Sequence, residues 1–132
     1  MGYKKGSWQL KKFYKFIAAS FIAVIAVTGL TGCSAEEPMD MSSYAAVIDV
    51  RTPAETSAGH LEGATLFDIQ DGAFMANLAT LDKSANYYVY CRSGNRSGQA
   101  IEIMKQEGFT GMLHNGGSLA NAASETGLAV VQ

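Results

Sequence analysis

Apolar and polar positions alternate between residues 44 and 127 in a pattern that predicts strands followed by helices. Short apolar runs bounded by polar turns have the length of buried strands, and they lie at residues 44–50, 65–69, 86–90 and 111–115. Helical patterns fill the intervals and begin near Pro53, Asp71, Ser97 and Ser118. This alternation predicts a three-layer α/β domain in which a parallel sheet of four to five strands is flanked by helices.

The first 32 residues have a different pattern, a lysine-rich start followed by one apolar run at residues 16–27. The run is shorter than a membrane-spanning helix and is typical of an export signal. It ends in Leu30-Thr31-Gly32-Cys33, which resembles the lipobox of bacterial lipoproteins. The resemblance implies a diacylglyceryl group on Cys33 and cleavage just before it. An uncleaved membrane anchor and an ordinary secretory signal are the alternatives.

We therefore divide the chain into a signal peptide at residues 1–32, a polar tether at 33–43 and a domain at 44–132. Acyl chains on Cys33 would hold the protein stably on a membrane. The expected location is the cell envelope, on the outer side of the cytoplasmic membrane or on the outer membrane. We expect the protein to be a monomer.

Residues 1–32 also differ from the rest of the chain in their charge. Residues 1–32 contain five lysines and no acid, whereas residues 33–132 contain five basic and twelve acidic residues, a formal charge of −7. Phosphate backbones are bound by clusters of Lys and Arg, so the acidic body argues against nucleic acid as a partner.

The chain contains two cysteines, Cys33 and Cys91. If Cys33 carries lipid, Cys91 is the only thiol of the mature chain and no internal disulfide can form. A lone cysteine does not make a zinc site of the common kinds, and His60 and His114 lack a spacing suited to metal ligands. We expect no metal and no cofactor.

The chemistry of the domain is predicted to lie in the loop after the third strand. Cys91 stands where that strand ends and a helix begins, a position where unpaired backbone N–H groups and the helix dipole stabilise a thiolate and bind anions. Substrate binding is assigned to the residues that follow the cysteine, which are Arg92, Ser93, Gly94, Asn95, Arg96 and Ser97.

Structural roles for the same residues remain open. Arg92 could be a solvated surface side chain, and Arg96 could instead pair with a nearby acid and brace the loop. The small polar residues are expected to form turns and caps first, and Gly94 to supply an unusual backbone angle.

Four motifs occur in order along the domain. They are Val47-Ile48-Asp49-Val50-Arg51-Thr52-Pro53, Gly59-His60-Leu61-Glu62-Gly63-Ala64, the loop from Cys91 to Ser97, and Asn115-Gly116-Gly117. In this order they resemble the signatures of single-domain rhodaneses, in particular the small periplasmic members of the phage-shock type, and the resemblance runs from about residue 44 to residue 130.

The resemblance implies a rhodanese-like fold and a sulfurtransferase. Cys91 would take sulfane sulfur from thiosulfate or a persulfide donor and pass it to cyanide or another thiol, so that the partners are small sulfur anions and thiol acceptors. Asp49 and Arg51 would form an internal brace, and His60 would support the structure through a hydrogen bond. The family usually has a tryptophan after the Gly-Gly pair, where this chain has residues 119–123, and smaller side chains there predict weaker packing behind the loop.

Two other functions remain open. A single thiol on an acidic domain would also suit a persulfide carrier or binding module without turnover. A phosphatase or arsenate reductase is less favoured, because only four residues separate Cys91 from Arg96 and the related oxyanion enzymes have one more.

Overall fold

The computed structural model describes residues 37–132. The predicted signal peptide, Cys33 and the first part of the predicted tether lie outside the described residues. Within residues 37–132, no helix combines the length and the apolar character needed to span a membrane.

A four-stranded parallel sheet forms the centre of the domain, with strand order β3-β1-β4-β5. Its strands are β1 (Ala46–Asp49), β3 (Thr65–Leu66), β4 (Tyr87–Cys91) and β5 (Leu113–Ser118). All five residues of β4 are buried, as expected for a parallel strand covered on both faces.

Helices and two apolar clusters cover the sheet. The helices are α1 (Pro53–Ser57), α2 (Phe74–Leu78), α3 (Asn95–Gln106) and α4 (Leu119–Thr126). Val89 belongs to a cluster with side chains of α2 and α3, whereas Tyr88 and Tyr90 belong to a second cluster with Ala122 of α4. Because successive strand residues point to opposite faces, β4 contributes to both clusters. The predicted three-layer α/β fold is confirmed, with four parallel strands.

Three predicted elements are shorter than the pattern suggests. The strand predicted at residues 44–50 spans only Ala46–Asp49. The strand predicted at residues 65–69 ends at Leu66, although Phe67 and Ile69 still donate their N–H groups to the carbonyls of Asp49 at 2.9 Å and Val50 at 3.3 Å. The helix predicted from Asp71 to Leu81 spans only Phe74–Leu78. Asp71 accepts the N–H of Ala73 at 3.0 Å in a turn before the helix, so it caps that turn instead of α2.

The Gly-Gly pair extends a strand that was predicted to end at Asn115. Gly116 and Gly117 lie inside β5, where a register shift opposite Val89 and Cys91 of β4 marks a bulge. A side chain at position 116 would overlap the ring of Tyr88, so only glycine fits there. The last helix starts after this pair, with the Ser118 hydroxyl accepting the N–H of Asn121 at its start.

An antiparallel pair that the sequence pattern does not predict joins β2 (His60–Leu61) to β6 (Val130–Val131). The described part of the predicted tether also lies against the domain. Met39 donates its N–H to the Glu125 carbonyl at 2.6 Å, and Met39 and Met41 pack on the second cluster.

Polar contacts hold α4 where the family usually has a tryptophan. The Asn121 amide donates to the Gly116 carbonyl at 3.0 Å and to the Glu125 carboxylate at 2.9 Å. Ala122 beside it is fully buried against the tyrosine cluster. The helix is therefore fixed to β5 by hydrogen bonds and small-residue packing.

Candidate active site

Cys91 is the last residue of β4 and is fully buried as a residue. β1 and β5 lie on either side of β4, so the cysteine stands at the middle of the carboxyl edge of the sheet, where parallel sheets place their ligands. After the three residues that follow it, α3 begins at Asn95. The strand end and the helix start therefore meet at the sulfur, as the sequence predicts.

The loop backbone folds around the sulfur atom. The N–H of Gly94 donates to Cys91 Sγ at 3.0 Å. Gly94 has a φ of +91°, a conformation open to glycine at little cost and strained for other residues. Glycine at this position thus lets the loop close tightly enough for its N–H to reach the sulfur.

The Cys91 pKa reflects two opposing effects. Burial raises the pKa, whereas the Ser97 hydroxyl and the backbone N–H groups of Ser97, Ser93 and Gly94 lower it, and the result is about 7. A substantial fraction of the sulfur is therefore thiolate at neutral pH.

Arg96 clamps α3 to α1. Its guanidinium donates two hydrogen bonds of 2.7 Å to the two carboxylate oxygens of Glu55. The Arg96 guanidinium holds the pKa of Glu55 at about 2, with further hydrogen bonds from the N–H and hydroxyl of Thr52. Of the two roles left open for Arg96, the structure shows the brace.

Arg92 is exposed at the start of the loop. Among residues 37–132 it is the only Lys or Arg side chain for which the structure shows no hydrogen bond or ion pair to another residue. Its charge is thus free to meet a ligand from solvent. Ser93 and Asn95 are exposed beside it, and Asn95 accepts the amide of Gln99 at 3.1 Å.

Ser97 is fully buried inside α3, with its hydroxyl oxygen 3.5 Å from Cys91 Sγ and 2.6 Å from the side-chain oxygen of Asn115. It is therefore neither an exposed turn residue nor a helix cap. Asn115, which the sequence analysis did not assign to the site, also donates to the Gly94 carbonyl at 3.0 Å. The sequence feature that could have identified Asn115 as a site residue is its position directly before Gly116, on the strand next to β4.

Asp49 and Arg51 form a buried pair at the neighbouring end of β1. The guanidinium donates to the carboxylate at 2.6 to 3.1 Å and to the Gly59 carbonyl at 2.7 Å. His60 donates from Nδ1 to the Thr56 carbonyl at 3.1 Å. None of the three has a hydrogen bond to Cys91, so each is placed to support the turn that adjoins the site.

The arrangement can act as a nucleophile toward an anionic electrophile. It combines a thiol with a pKa near neutrality, backbone donors at the sulfur, and a free positive charge at the mouth of the loop. Within the part of the chain that the structure describes, no group of three His, Cys, Asp or Glu side chains is arranged to hold a metal ion.

Comparison with known proteins places this site in a family. The model of the rhodanese-like domain matches residues 34–123. The thiosulfate sulfurtransferase PspE of Escherichia coli is 36% identical over 70 residues, which cover 53% of this chain and 67% of that protein. A probable adenylyltransferase/sulfurtransferase, MoeZ of Mycobacterium tuberculosis, is 32% identical over 90 residues, 66% of this chain but only 22% of that protein.

Among solved structures, a rhodanese with anions from Escherichia coli is similar, with a TM-score of 0.55 and 31% identity over 66% of this chain and 96% of that one.

Proposed function

Because the chain belongs to the rhodanese-like domain family, we propose that it moves sulfane sulfur from thiosulfate or a persulfide donor, through a persulfide on Cys91, to cyanide or a thiol. Relatives named as sulfurtransferases support sulfur transfer in general. The observation that carries the specific proposal is the Cys91 sulfur itself, buried at a helix start with the Gly94 N–H at 3.0 Å.

The first half-reaction loads the sulfur. The Cys91 thiolate attacks the outer sulfur of thiosulfate, a new S–S bond forms, and the S–S bond of thiosulfate breaks so that sulfite leaves with the electron pair. Arg92 would attract the sulfonate end, and the loop N–H groups would stabilise the charge on the terminal sulfur of the persulfide.

The second half-reaction returns the enzyme to its starting state. Cyanide or a thiolate attacks the outer sulfur of the persulfide, the Cys91 S–S bond breaks, and Cys91 leaves as a thiolate. In the described residues Cys91 is the only cysteine, so no neighbouring thiol of that region can act as the acceptor. Discharge should therefore depend on the concentration of an external acceptor.

Arg96 separates this proposal from the phosphatase alternative. A clamp for a tetrahedral oxyanion needs a guanidinium directed into the loop, whereas both terminal nitrogens of Arg96 donate to the Glu55 carboxylate. The loop is left with backbone donors and Arg92, a set that suits a sulfur atom bearing a small anionic group.

Thiocyanate formation tests the proposal. The full-length protein in detergent should produce thiocyanate from thiosulfate and cyanide, and Cys91→Ser should reduce turnover to the uncatalysed rate. Cys33→Ser, which removes the other cysteine, is the matched control and should keep full turnover. Equal turnover by Cys91→Ser and the unchanged protein would overturn the proposal.

A persulfide carrier differs from a sulfurtransferase in what can remove the outer sulfur of the Cys91 persulfide. If mass spectrometry finds a persulfide on Cys91 that cyanide and small thiols leave intact, but that a particular protein removes, the chain is a carrier and not a thiosulfate:cyanide enzyme.

We further propose, from the sequence alone, that Cys33 carries lipid and holds the domain at the cell envelope. Labelling of growing cells with an alkyne fatty acid should tag the unchanged chain and leave Cys33→Ser untagged. Cys91→Ser is the matched control and should be tagged like the unchanged chain, whereas tagging that survives Cys33→Ser would contradict the proposal.

A further inference from the structure

The Asn115 side chain is fixed in one orientation by two backbone groups. Its oxygen accepts the N–H of Gly117 at 3.1 Å, and its NH₂ donates to the carbonyl of Gly94 at 3.0 Å. A backbone N–H can only donate and a carbonyl can only accept, so the amide cannot be reversed without losing both bonds. Asn115 therefore presents an acceptor to Ser97.

Ser97 has one hydroxyl proton and two acceptors within reach. Its oxygen lies 2.6 Å from the Asn115 oxygen and 3.5 Å from Cys91 Sγ. A contact of 2.6 Å between two oxygens requires a proton between them, and the Asn115 oxygen has none to give. In this arrangement the Ser97 proton points at Asn115, and a lone pair of the Ser97 oxygen faces the sulfur.

That orientation suits a neutral thiol, whose S–H can donate to the Ser97 oxygen. It does not suit a thiolate, because a thiolate can only accept hydrogen bonds and here faces a lone pair. The Ser97 hydroxyl is the nearest side-chain group that could donate to it. When the thiol proton leaves to solvent, rotation of the hydroxyl would bring the Ser97 proton to the sulfur, and Asn115 would lose that hydrogen bond.

We propose that Asn115 is a positioning residue that acts through Ser97. While Cys91 is a thiol, Asn115 accepts the hydrogen bond of the Ser97 hydroxyl. When Cys91 becomes a thiolate, the hydroxyl turns and donates that hydrogen bond to the sulfur, and its proton stays on the Ser97 oxygen. No covalent bond other than S–H is broken in this exchange. The proposal rests on the proposed function only in taking Cys91 as the reacting sulfur.

Other charged groups lie around the loop, and any effect they have on the sulfur is independent of Ser97. Arg92 and Arg96 follow Cys91 in the chain, Glu55 comes from α1 in a pair with Arg96, and Asp68 after β3 lies close enough to act on Arg96. Their effects on the thiol are the same whether or not position 97 has a hydroxyl, so a double-mutant cycle removes them.

The test is the pH at which alkylation of Cys91 by iodoacetamide reaches half its maximal rate. The protein is the full-length chain in detergent with Cys33→Ser, so that one thiol reacts. Asn115→Ala should lower this pH by about half a unit, because the thiolate no longer competes with Asn115 for the hydroxyl. In a Ser97→Ala background the same substitution should cause no shift.

Two further variants sharpen the result. Asn115→Asp keeps an acceptor for Ser97 and adds negative charge, so it should raise the half-maximal pH, and raise it more with Ser97 present than with Ser97→Ala. This comparison decides the question if Asn115→Ala does not fold. Asn121→Ala is the control, because it removes an amide that donates to the nearby Gly116 carbonyl but has no contact with Ser97. It should leave the half-maximal pH unchanged.

An equal shift by Asn115→Ala in both backgrounds, or no shift in either, would overturn the proposal and assign Asn115 to loop structure alone. Alkylation needs no sulfur donor, so its outcome is separate from thiocyanate formation. A chain that shows the coupling but forms no thiocyanate would refute sulfur transfer and retain the proton arrangement.

Discussion

Two strand-to-helix turns lie side by side at the carboxyl edge of the sheet, and they differ in how their charges are compensated. The turn after β1 contains Asp49 and Arg51, both buried, and their charges neutralise each other at 2.6 Å. The turn after β4 contains a sulfur held by backbone donors and an exposed Arg92 that forms no ion pair within residues 37–132. The charges of the first turn are neutralised within the turn itself. The second turn has backbone donors and a positive charge that could bind an anionic ligand.

Glu55 joins the two turns. Its carboxylate accepts the N–H of Thr52 at 3.1 Å at the start of α1 and both guanidinium hydrogen bonds from Arg96 on α3. The rigid turn thereby fixes the start of the helix that carries the reactive loop. We therefore expect the β1 turn to serve stability and the β4 turn to serve chemistry.

The largest effect is expected from Arg51→Met, which breaks the closed turn. The substitution would leave Asp49, which is 0% exposed, as a buried charge and would remove the donor to the Gly59 carbonyl. Loss of one partner of a buried pair typically costs about 3–5 kcal/mol. Urea unfolding of the full-length chain in detergent should show a decrease of that size in the free energy of unfolding.

Lys105→Met is the matched control, since it breaks the exposed pair with Glu102 on α3. Its effect on the unfolding free energy should stay within about 0.5 kcal/mol. If the two substitutions cost the same, the β1 turn would not have the structural role that its burial implies.

A smaller effect is expected from Arg92→Met, which changes the open turn. Removal of one partly solvated charge from an anion site should raise KM for thiosulfate by about tenfold, or about 1.4 kcal/mol, with the free energy of unfolding unchanged. The difference in KM should shrink as salt is added, because exposed charges are screened. An unchanged KM at low salt would show that Arg92 does not attract the donor.

The reactive turn could be predicted from the sequence because its signals are local. An apolar run that ends in Cys91, followed by Gly94 and a helical pattern, indicates a thiol at a helix start, and the structure has that arrangement with a φ of +91° at Gly94. The start of α1 at Pro53 is equally local and is confirmed.

Contacts between distant residues could not be predicted in the same way. Arg96 and Glu55 are 41 positions apart, and Ser97 and Asn115 are 18 apart, so no periodicity relates them. The pattern left two roles open for Arg96 because the choice depends on how α1 and α3 pack. The limits of α2 were wrong for a related reason, since the turn at Asp71 uses the same residue types as a helix cap.

The smallest of the three effects is expected from Glu55→Gln, which breaks the Arg96–Glu55 pair between the two turns. The Arg96–Glu55 pair is about one quarter exposed or less, so its loss should decrease the free energy of unfolding by about 1 kcal/mol at neutral pH. The folded-state pKa of Glu55 is about 2, below its ordinary value of 4.5. A carboxylate with a depressed pKa stabilises the fold fully above the ordinary value and loses that contribution as the pH falls through the folded-state value.

The difference in unfolding free energy between the unchanged chain and Glu55→Gln should therefore be constant above about pH 5 and decrease between pH 4.5 and about 2. Glu102→Gln, on the exposed pair with Lys105, should show almost no difference at any pH. Thiosulfate KM should also rise in Glu55→Gln, because an unclamped Arg96 loosens the start of α3. If stability falls but the loop keeps its alkylation profile and KM, the two turns are mechanically independent, and the β4 turn is fixed by β4 and Asn115 alone.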